Sequence, residues 1–271
     1  MERTRQTVGG RAVLVLALLL ALAACSGRGG GSGSSPVTVS DSIAQSPYDW
    51  NHLVWDGYGR VAYVVDGSVR SRTGIDVSEH QGDIDWQTVA DDGISFCYVR
   101  AAWRGSTEGG LFADELFEQN YTGARAAGLD TGIYVYSQAV NAEEAREEAQ
   151  FVLDLLDGRP LELAIAFDHE VTGDWSGRAD NITRDELTAA ARAFCDTVEA
   201  AGYHAVIYGN SYELTRLDIH SFGREGCWFA EYDEAPSVPL ELVMWQYTGQ
   251  GSVAGIGTPV DMNLELANVL E

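Results

Sequence analysis

The sequence predicts an α/β fold in which a parallel sheet closes into an irregular, TIM-like barrel. From Gly74 onward, short apolar segments alternate with segments of helical periodicity, a pattern typical of a parallel sheet covered by helices. After Gly209 the helical segments fade and strands dominate, so we expect the last third of the barrel to be irregular. In such barrels the functional side chains gather where the strands end.

Seven strands are predicted from apolar segments that are too short for helices. These are Gly74–Val77, Ser95–Arg100, Asp130–Tyr136, Ala164–Phe167, His204–Gly209, Cys227–Glu231 and Leu242–Gln246. Because consecutive side chains of a strand point to opposite faces, every second residue should face the same side of the sheet.

Three helices fit between the earlier strands, over Asp114–Ala127, 142–156 and 184–201. The first stops before Gly128, since glycine readily adopts the left-handed conformation that ends a helix. Asn141 caps the second, and its four glutamates lie on the predicted solvated side. The third opens with a capping box from Thr183 to Glu186.

The most informative segment is the end of the fourth strand, where Asp168 and Glu170 follow an apolar run. At positions i and i+2 of a strand both acids project to the same face, while His169 points away. Two acids held together at the end of a buried strand raise each other's pKa, so one can stay protonated near neutral pH. A glycosidase needs such a proton donor beside a charged partner. An acidic pair that merely caps the next loop fits this segment equally well.

The first 25 residues predict export. Arg3, Arg5 and Arg11 precede the apolar run 12–24, which is too short for a comfortable membrane span. The run ends in a sequence that looks like a bacterial lipobox, with Cys25 as the residue to be lipidated. An ordinary signal peptide cut nearby is the alternative. We therefore expect an exported protein, lipid-anchored on the outer face of the bacterial cytoplasmic membrane.

The chain divides into four predicted segments. A lipoprotein signal peptide spans 1–25, a flexible Gly/Ser-rich linker 26–45, a small N-terminal appendage 46–73 and the barrel 74–271. The appendage is rich in aromatic residues and strand formers. We expect these aromatic residues to pack in a core, although they could also line a sugar groove.

The charge and the cysteines exclude several classes of function. The net charge is −24 and the chain has no Lys, which argues against a nucleic-acid partner and against broad binding to anionic lipid. Cys97, Cys195 and Cys227 lack the spacing of zinc ligands, and no metal site is expected. Their odd number allows one disulfide with one buried thiol, or three buried thiols.

Polar and aromatic side chains recur where the predicted strands end. Acids ringed by aromatic faces suit a carbohydrate, because the C–H faces of sugars pack on rings while hydroxyls need fixed hydrogen-bond partners. The candidates are Asp76, Arg100, Tyr136, Ser137, Gln138, Asp168, Glu170, Tyr208, Trp228, Tyr232, Trp245 and Gln246, with Asp261 and Asn263 on a late turn.

Seven motifs follow one another between residues 74 and 266. They are Gly74–Ser78, Gly82–Trp86, Phe167–Glu170, Trp228–Tyr232, Trp245–Gly249, Gly251–Ile256 and Val260–Asn263. In content and order they resemble the motifs of glycoside hydrolase family 25 lysozymes (N-acetylmuramidases). The resemblance implies five βα units followed by three strands. It also implies cleavage of the β-1,4 bond between N-acetylmuramic acid and N-acetylglucosamine in peptidoglycan, without metal or organic cofactor.

The resemblance further implies roles for individual residues. Glu170 matches the family's general acid, and Asp168 matches the acid two residues before it. Asp76 and Asp261 match two flanking carboxylates. Asp168 could polarise the 2-acetamido group of the muramic sugar, which we favour, or attack the sugar directly, or activate water. The remaining ten candidates named above would bind the substrate.

Two hypotheses from other functional classes stay open. A non-catalytic peptidoglycan-binding lipoprotein could keep the groove, although such a protein has no physical need for clustered acids that repel one another. A metal-dependent deacetylase or amidase would need recognisable ligand spacing, which His80, His204 and His220 lack. We expect a monomer whose partners are peptidoglycan glycan strands and, through Cys25, the membrane.

Overall fold

The fold of the described residues, 43–267 and 269–270 of the computed structural model, contains twelve strands and five α-helices. The strands are β1 (Leu53–Trp55), β2 (Val61–Val65), β3 (Ser68–Val69), β4 (Arg72–Val77), β5 (Phe96–Arg104), β6 (Leu111–Ala113), β7 (Asp130–Ser137), β8 (Ile165–His169), β9 (Ala205–Asn210), β10 (Cys227–Ala230), β11 (Met244–Gly251) and β12 (Val260–Glu265). The helices are α1 (Trp86–Asp91), α2 (Phe117–Ala126), α3 (Ala142–Leu156), α4 (Arg184–Ala200) and α5 (Ser211–Arg216). The predicted signal peptide with its lipidation site Cys25 lies outside the described residues, as does most of the predicted linker.

Eight strands close into a barrel. β4, β5, β7, β8, β9, β10 and β11 pair in parallel, and β12 completes the ring antiparallel to both β11 and β4. β6 forms a hairpin with the end of β5 outside the ring. Five βα units therefore precede three strands with few helices, which confirms the predicted α/β barrel. Asp261 and Asn263, expected on a late turn, lie instead in the closing strand β12.

Two of the three predicted helices begin as expected. The side chain of Asn141 caps α3 by accepting hydrogen bonds from the amides of Glu143 and Glu144. α4 opens with the predicted reciprocal bonds between Thr183 and Glu186. Both starts follow from local capping chemistry.

The other helices differ from the sequence prediction. α2 begins at Phe117 rather than Asp114, because the Asp114 carboxylate accepts the amide of Leu116 in a turn and pairs with Arg100. α1 has only six residues, too few to show helical periodicity, and is capped by Asp85. It is therefore absent from the predicted elements.

One glutamate of α3 is buried rather than solvated. Glu148 has no exposed surface, and its carboxylate accepts a hydrogen bond of 2.7 Å from Nε of Arg104 in β5. Arg104 also donates to the backbone carbonyls of Gly109 and Glu144. This buried pair joins α3 to β5, and burial raises the pKa of Glu148 to about 7 against the attraction of Arg104.

Large side chains fill the barrel below the strand ends. The buried cluster comprises Phe96, Tyr98, Ala166, Val206, Trp228 and Met244. The ring of Tyr98 packs on that of Trp228, with centroids 4.6 Å apart. Gly132 on β7 makes room for this pair, since a Cβ there would lie 2.6 Å from the Tyr98 ring. The cluster supports Trp228 from beneath.

The segment before the barrel forms a three-stranded antiparallel sheet, β1–β3. Tyr63 of β2 is buried, and its hydroxyl oxygen accepts the amide of Asp49. Trp55 of β1 packs edge-on against Trp245 and Tyr247 of β11 but keeps 39% of its surface exposed. Some aromatic residues of this segment are thus core residues, while others stay accessible.

The three cysteines of the described chain are all buried thiols, and no disulfide joins them. Of the two arrangements that Cys97, Cys195 and Cys227 allow, the fold contains three separate thiols.

Within residues 43–267 no group of three or more His, Cys, Asp or Glu side chains is arranged to hold a metal ion. Nor does any helix of this part of the chain combine the length and apolar character needed to cross a membrane.

Candidate active site

Four acidic side chains meet at the carboxyl-terminal ends of the parallel strands. Asp168 lies in β8 and Glu170 directly after it, while Asp76 lies near the end of β4. β12 runs antiparallel to β4 and places Asp261 opposite Asp76. All four acids line a cavity of about 260 Å³, together with Tyr134, Tyr208, Trp228, Tyr232 and Gln246.

Asp168 and Glu170 share one face of the strand end, as their i, i+2 spacing predicts. Both line the cavity, whereas His169 is 2% exposed and lies beside the ring of Phe167, on the other face of β8. Burial lowers the pKa of His169 to about 4, so this imidazole is neutral at physiological pH.

Asp76 is held by two side-chain amides. Its Oδ2 accepts a hydrogen bond of 2.9 Å from Nε2 of Gln246 and another of 2.7 Å from Nδ2 of Asn263. Hydrogen bonds to a carboxylate favour its charged form, and these two oppose the effect of burial. These two hydrogen bonds fix the position of the Asp76 carboxylate.

Neighbouring aromatic residues orient both amides. The hydroxyls of Tyr208 and Tyr232 donate to Oε1 of Gln246 over 3.0 and 2.9 Å. The indole N–H of Trp228 donates to Oδ1 of Asn263 over 2.8 Å. Because each amide oxygen is already bonded, each amide nitrogen must face the carboxylate.

Burial and mutual repulsion raise the proton affinity of the acids. Burial, reinforced by the charge of Asp261, raises the pKa of Asp76 to about 8. Burial, followed by repulsion from Glu170 and Asp76, holds the pKa of Asp168 well above its usual value. Among the described residues none donates a hydrogen bond to Oδ1 of Asp168, although that atom is buried. Burial and repulsion therefore shift these acids toward their protonated forms.

The pKa of Glu170 is raised by burial first and by the negative charge of Glu213 second. Glu213 lies in the first turn of α5 and is 2% exposed. One of its carboxylate oxygens accepts the amide of Val171 over 3.0 Å, and the other accepts a bond of 3.1 Å from Arg216. Glu213 thus fixes the backbone directly after Glu170 and adds negative charge nearby.

Several predicted substrate-binding residues do reach the cavity, namely Tyr208, Trp228, Tyr232 and Gln246. Tyr136 is the cross-strand neighbour of Asp168 and therefore faces the same side of the sheet. Tyr232 is 61% exposed, so its ring stands at the mouth of the cavity, where a ligand can contact it.

Three other predicted substrate-binding residues support the site without lining the cavity: Asn263, Gln138 and Arg100. Asn263 is completely buried and orients Asp76. Gln138, also completely buried, donates a hydrogen bond of 2.8 Å to the backbone carbonyl of Glu170. Arg100 is held in ion pairs with two acids at 2.8 and 3.1 Å.

Trp245 and Ser137 are also predicted to bind substrate, but they lie away from the cavity. Both are completely buried and neither lines the cavity. Trp245 donates its indole N–H to the carbonyl of Glu231, and the hydroxyl of Ser137 accepts the amide of Ala139. Trp245 directly precedes Gln246, which lines the cavity, and Ser137 directly follows Tyr136, which faces the same side of the sheet as Asp168. Because side chains alternate along a strand, those of Trp245 and Ser137 point to the opposite face.

Three neighbours of the acids are not among the predicted site residues: Tyr134, Glu213 and Gly249. A Cβ at Gly249 would lie 2.9 Å from a carboxylate oxygen of Asp261, so glycine leaves room for that acid. The sequence does contain a local signal for the position of Glu213. Asparagine at 210 followed by glutamate three residues later is typical of a helix start. That signal places the glutamate in the first turn after β9.

Comparison with known proteins agrees with this geometry. The sequence profile of Glycosyl hydrolases family 25 matches residues 75–256. The chain is 29% identical over 192 residues to the Autolytic lysozyme of Clostridium acetobutylicum, covering 70% of this chain and 54% of that protein. It is 27% identical over 203 residues to Lysozyme M1 of Streptomyces globisporus, covering 70% and 66% respectively. The chain thus spans between half and two thirds of the length of these relatives.

The fold is also similar to that of solved structures. It is similar to the bacterial lysozyme from Streptomyces coelicolor, with a TM-score of 0.58 and 25% identity. The superposition covers 71% of this chain and 90% of that chain. With the profile match over most of the barrel, these similarities establish that the chain belongs to glycosyl hydrolases family 25.

Proposed function

We propose that the chain is a lysozyme that hydrolyses peptidoglycan at the β-1,4 bond between N-acetylmuramic acid and N-acetylglucosamine. The observation that carries this proposal is the set of four acids that line one cavity at the strand ends. A carboxylic acid that keeps its proton near neutral pH can protonate the leaving oxygen of a glycosidic bond. The lysozyme names of the two relatives support the same substrate.

Glu170 is the proposed general acid. Burial and the charge of Glu213 raise its pKa, and Gln138 holds its backbone carbonyl. In the first step Glu170 gives its proton to O4 of the departing N-acetylglucosamine as the bond to C1 of the muramic sugar breaks. In the second step the resulting carboxylate takes a proton from the water that attacks C1.

Asp168 is proposed to orient the 2-acetamido group of the muramic sugar. Its Oδ1 is a buried acceptor without a donor from the described residues, so an acetamido N–H would satisfy an otherwise costly atom. That hydrogen bond would direct the acetamido oxygen at C1, where it forms a cyclic intermediate that water then opens. Direct attack by Asp168 is an alternative that also retains the anomeric configuration, whereas activation of water by Asp168 would invert it.

Asp76 and Asp261 are proposed to stabilise, in their ionised forms, the positive charge that develops on the sugar ring. Groups that are already held in place need no reorganisation when the transition state forms. The two hydrogen bonds from side-chain amides to Asp76 support this role, because they hold the carboxylate in one position.

We further propose that the protein acts outside the cell as a monomer, tethered by a lipid on Cys25. The support is the arginine-flanked apolar run that ends at this cysteine and the Gly/Ser-rich segment that follows it. Growth of cells with a labelled fatty acid tests the tether. We expect label on the wild-type protein and none on a Cys25→Ser variant; label on neither would leave the protein without its proposed anchor.

The cleavage proposal is tested with purified peptidoglycan and two proteins, wild type and Glu170→Gln. After digestion the products are reduced with borohydride and read by mass spectrometry. We expect new reduced muramic acid ends from the wild type, and a rate lower by about 10²- to 10⁴-fold for the variant, the usual contribution of a general acid.

Other outcomes of this experiment are equally informative. Reduced glucosamine ends would keep a glycosidase but overturn the bond assignment. Binding of peptidoglycan by both proteins without any cleavage would favour a non-catalytic wall-binding lipoprotein. Loss of activity after treatment with a chelator would contradict a mechanism that depends on carboxylates alone.

A further inference from the structure

A second and larger concave surface is built by the segment before the barrel and by the loop that follows β10. It has a volume of about 1180 Å³. Its aromatic side chains are Tyr48, Trp50 and Trp55, and its polar ones include Asn51, Asp233 and Glu234. We call this surface, defined by residues 48–51, 53, 55 and 233–235, the appendage groove.

A single loop joins the appendage groove to the catalytic cavity. Tyr232 lines the cavity, and the next three residues, 233–235, line the groove. The indole N–H of Trp55 donates to the carbonyl of Glu234 over 3.3 Å, which joins the segment before the barrel to this loop. The groove and the cavity are therefore lined by consecutive residues of one loop, which follows the end of β10.

The catalytic cavity alone is small for a polymeric substrate. Its volume of about 260 Å³ lies below the roughly 300–1,000 Å³ of ordinary small-molecule sites. A glycan strand that passes through it must continue over neighbouring surface in both directions. The appendage groove offers such a surface, and its volume is more than four times that of the cavity.

The side chains of the groove favour an uncharged saccharide. None of the described residues that line it is basic, and its three acids, Asp49, Asp233 and Glu234, are exposed. An anionic ligand would be repelled, and the stem peptides of peptidoglycan end in carboxylates. Sugar rings instead present C–H faces to aromatic rings and hydroxyl and amide donors to carboxylates.

The aromatic rings of the groove are held before any ligand binds. Trp55 is braced edge-on by Trp245 and Tyr247, with centroid distances of 6.0 and 5.6 Å. Trp50 packs against Tyr48 at 5.0 Å. Rings that are already ordered lose little conformational entropy on binding, which favours affinity.

We propose that the appendage groove binds the continuation of the peptidoglycan glycan strand beyond the sugars held at the cleaved bond. This proposal rests on the proposed hydrolysis of peptidoglycan and adds a saccharide-binding function for the segment before the barrel. Trp55 is the central contact, because it lines the groove with 39% of its surface exposed and is held by two aromatic rings of β11.

The binding test uses the Glu170→Gln protein, in which cleavage is strongly slowed. The probe is a preparation of glycan strands from which an amidase has removed the stem peptides and whose freed lactyl carboxylates have been converted to amides, so that the strands carry no charge. Isothermal titration calorimetry compares this protein with the same protein carrying Trp55→Ala. We expect the second substitution to weaken binding about tenfold, a loss typical of truncating an aromatic anchor. Val54→Ala is the matched control, because Val54 is exposed on the opposite face of β1 and should leave binding unchanged.

Folding is checked separately, because Trp55 also packs on the barrel. Asn51→Ala lies on the exposed rim of the groove and should weaken binding without lowering the melting temperature. Equal affinity for the strands with and without Trp55→Ala and Asn51→Ala would overturn the proposal. So would binding of released stem peptides, in place of glycan strands, at the groove.

A kinetic comparison separates this proposal from the proposed function itself. With Glu170 intact, we expect Trp55→Ala to lower kcat/KM on long strands several-fold and to leave cleavage of a four-sugar fragment unchanged. If the wild type cleaves neither substrate, the proposed hydrolysis fails. If the wild type cleaves both and Trp55→Ala lowers neither rate, only the role of the groove is refuted.

Discussion

Substituting Asp76 by asparagine should make the protein more stable, increasingly so as the pH rises. The carboxyl group is 8% exposed and its pKa is raised from 3.8 to about 8 by burial and by Asp261. A group whose pKa is raised on folding contributes stability that is fully present below its unfolded pKa and is lost as the pH rises through the folded value. The Asp76→Asn variant removes this loss and keeps an oxygen that can accept from Gln246 and Asn263.

The size of the effect follows from the two pKa values. A shift from 3.8 to about 8 corresponds to an upper limit of about 6 kcal/mol, at about 1.4 kcal/mol for each pKa unit. Repulsion is shared with Asp261, and the site relaxes when one acid is neutral. We therefore expect a gain in the free energy of unfolding of about 2–4 kcal/mol at pH 8 and almost none at pH 4.

Urea unfolding followed by tryptophan fluorescence measures this gain at pH 4, 6 and 8. The denaturation midpoint should rise for Asp76→Asn with an unchanged slope, so that the difference reports stability alone. Asp196→Asn is the matched control, since Asp196 is exposed on α4 and its substitution should change little at any of the three pH values. A difference that does not vary with pH, or a loss of stability at pH 8, would refute the reasoning.

Three further substitutions test individual contacts. Glu213→Gln can keep the hydrogen bond from the backbone amide of Val171 but removes a negative charge, so the pKa of Glu170 should fall. The alkaline limb of the pH–activity profile should therefore move to lower pH, and an unmoved limb would refute the electrostatic coupling of Glu213 to Glu170. Gly249→Ala should place a methyl group against Asp261 and lower kcat/KM about tenfold or more with little change in melting temperature, since small displacements of catalytic groups are costly. Gly132→Ala should cost about 1–3 kcal/mol of unfolding free energy through overpacking against the barrel interior, measured by urea unfolding; a neutral result would mean that the interior repacks freely.

The fold was predictable because its local signals agree with one another. The capping residues Asn141 and Thr183 mark helix starts, and short apolar runs between them mark strands. β12 was harder to predict, because its acid and amide positions read as a turn. Its strand conformation arises from antiparallel pairing with β11, the preceding strand, and with β4, nearly two hundred positions away in the sequence. The alternation of apolar and polar residues over Val260–Glu265 is the local signal that predicts this strand.

Two of the predicted substrate-binding residues, Trp245 and Ser137, lie outside the cavity for the same physical reason. Trp245 and Gln246 are consecutive in β11, and Tyr136 and Ser137 are consecutive in β7. Only one member of each pair can face the cavity, because side chains alternate along a strand. Which face is inside depends on the barrel as a whole, and here Gln246 lines the cavity while Trp245 packs outside it.

The acids of the cavity differ in how completely the protein itself satisfies them, and this difference assigns their tasks. Asp76 accepts hydrogen bonds from two side-chain amides on one oxygen and is fixed before any substrate arrives. Asp168 keeps a buried oxygen for which the described residues provide no donor. A buried acceptor left in this state costs roughly 1–3 kcal/mol, which a ligand N–H could recover on binding. The protein thus holds one acid in a fixed position and leaves the other to be completed by the substrate.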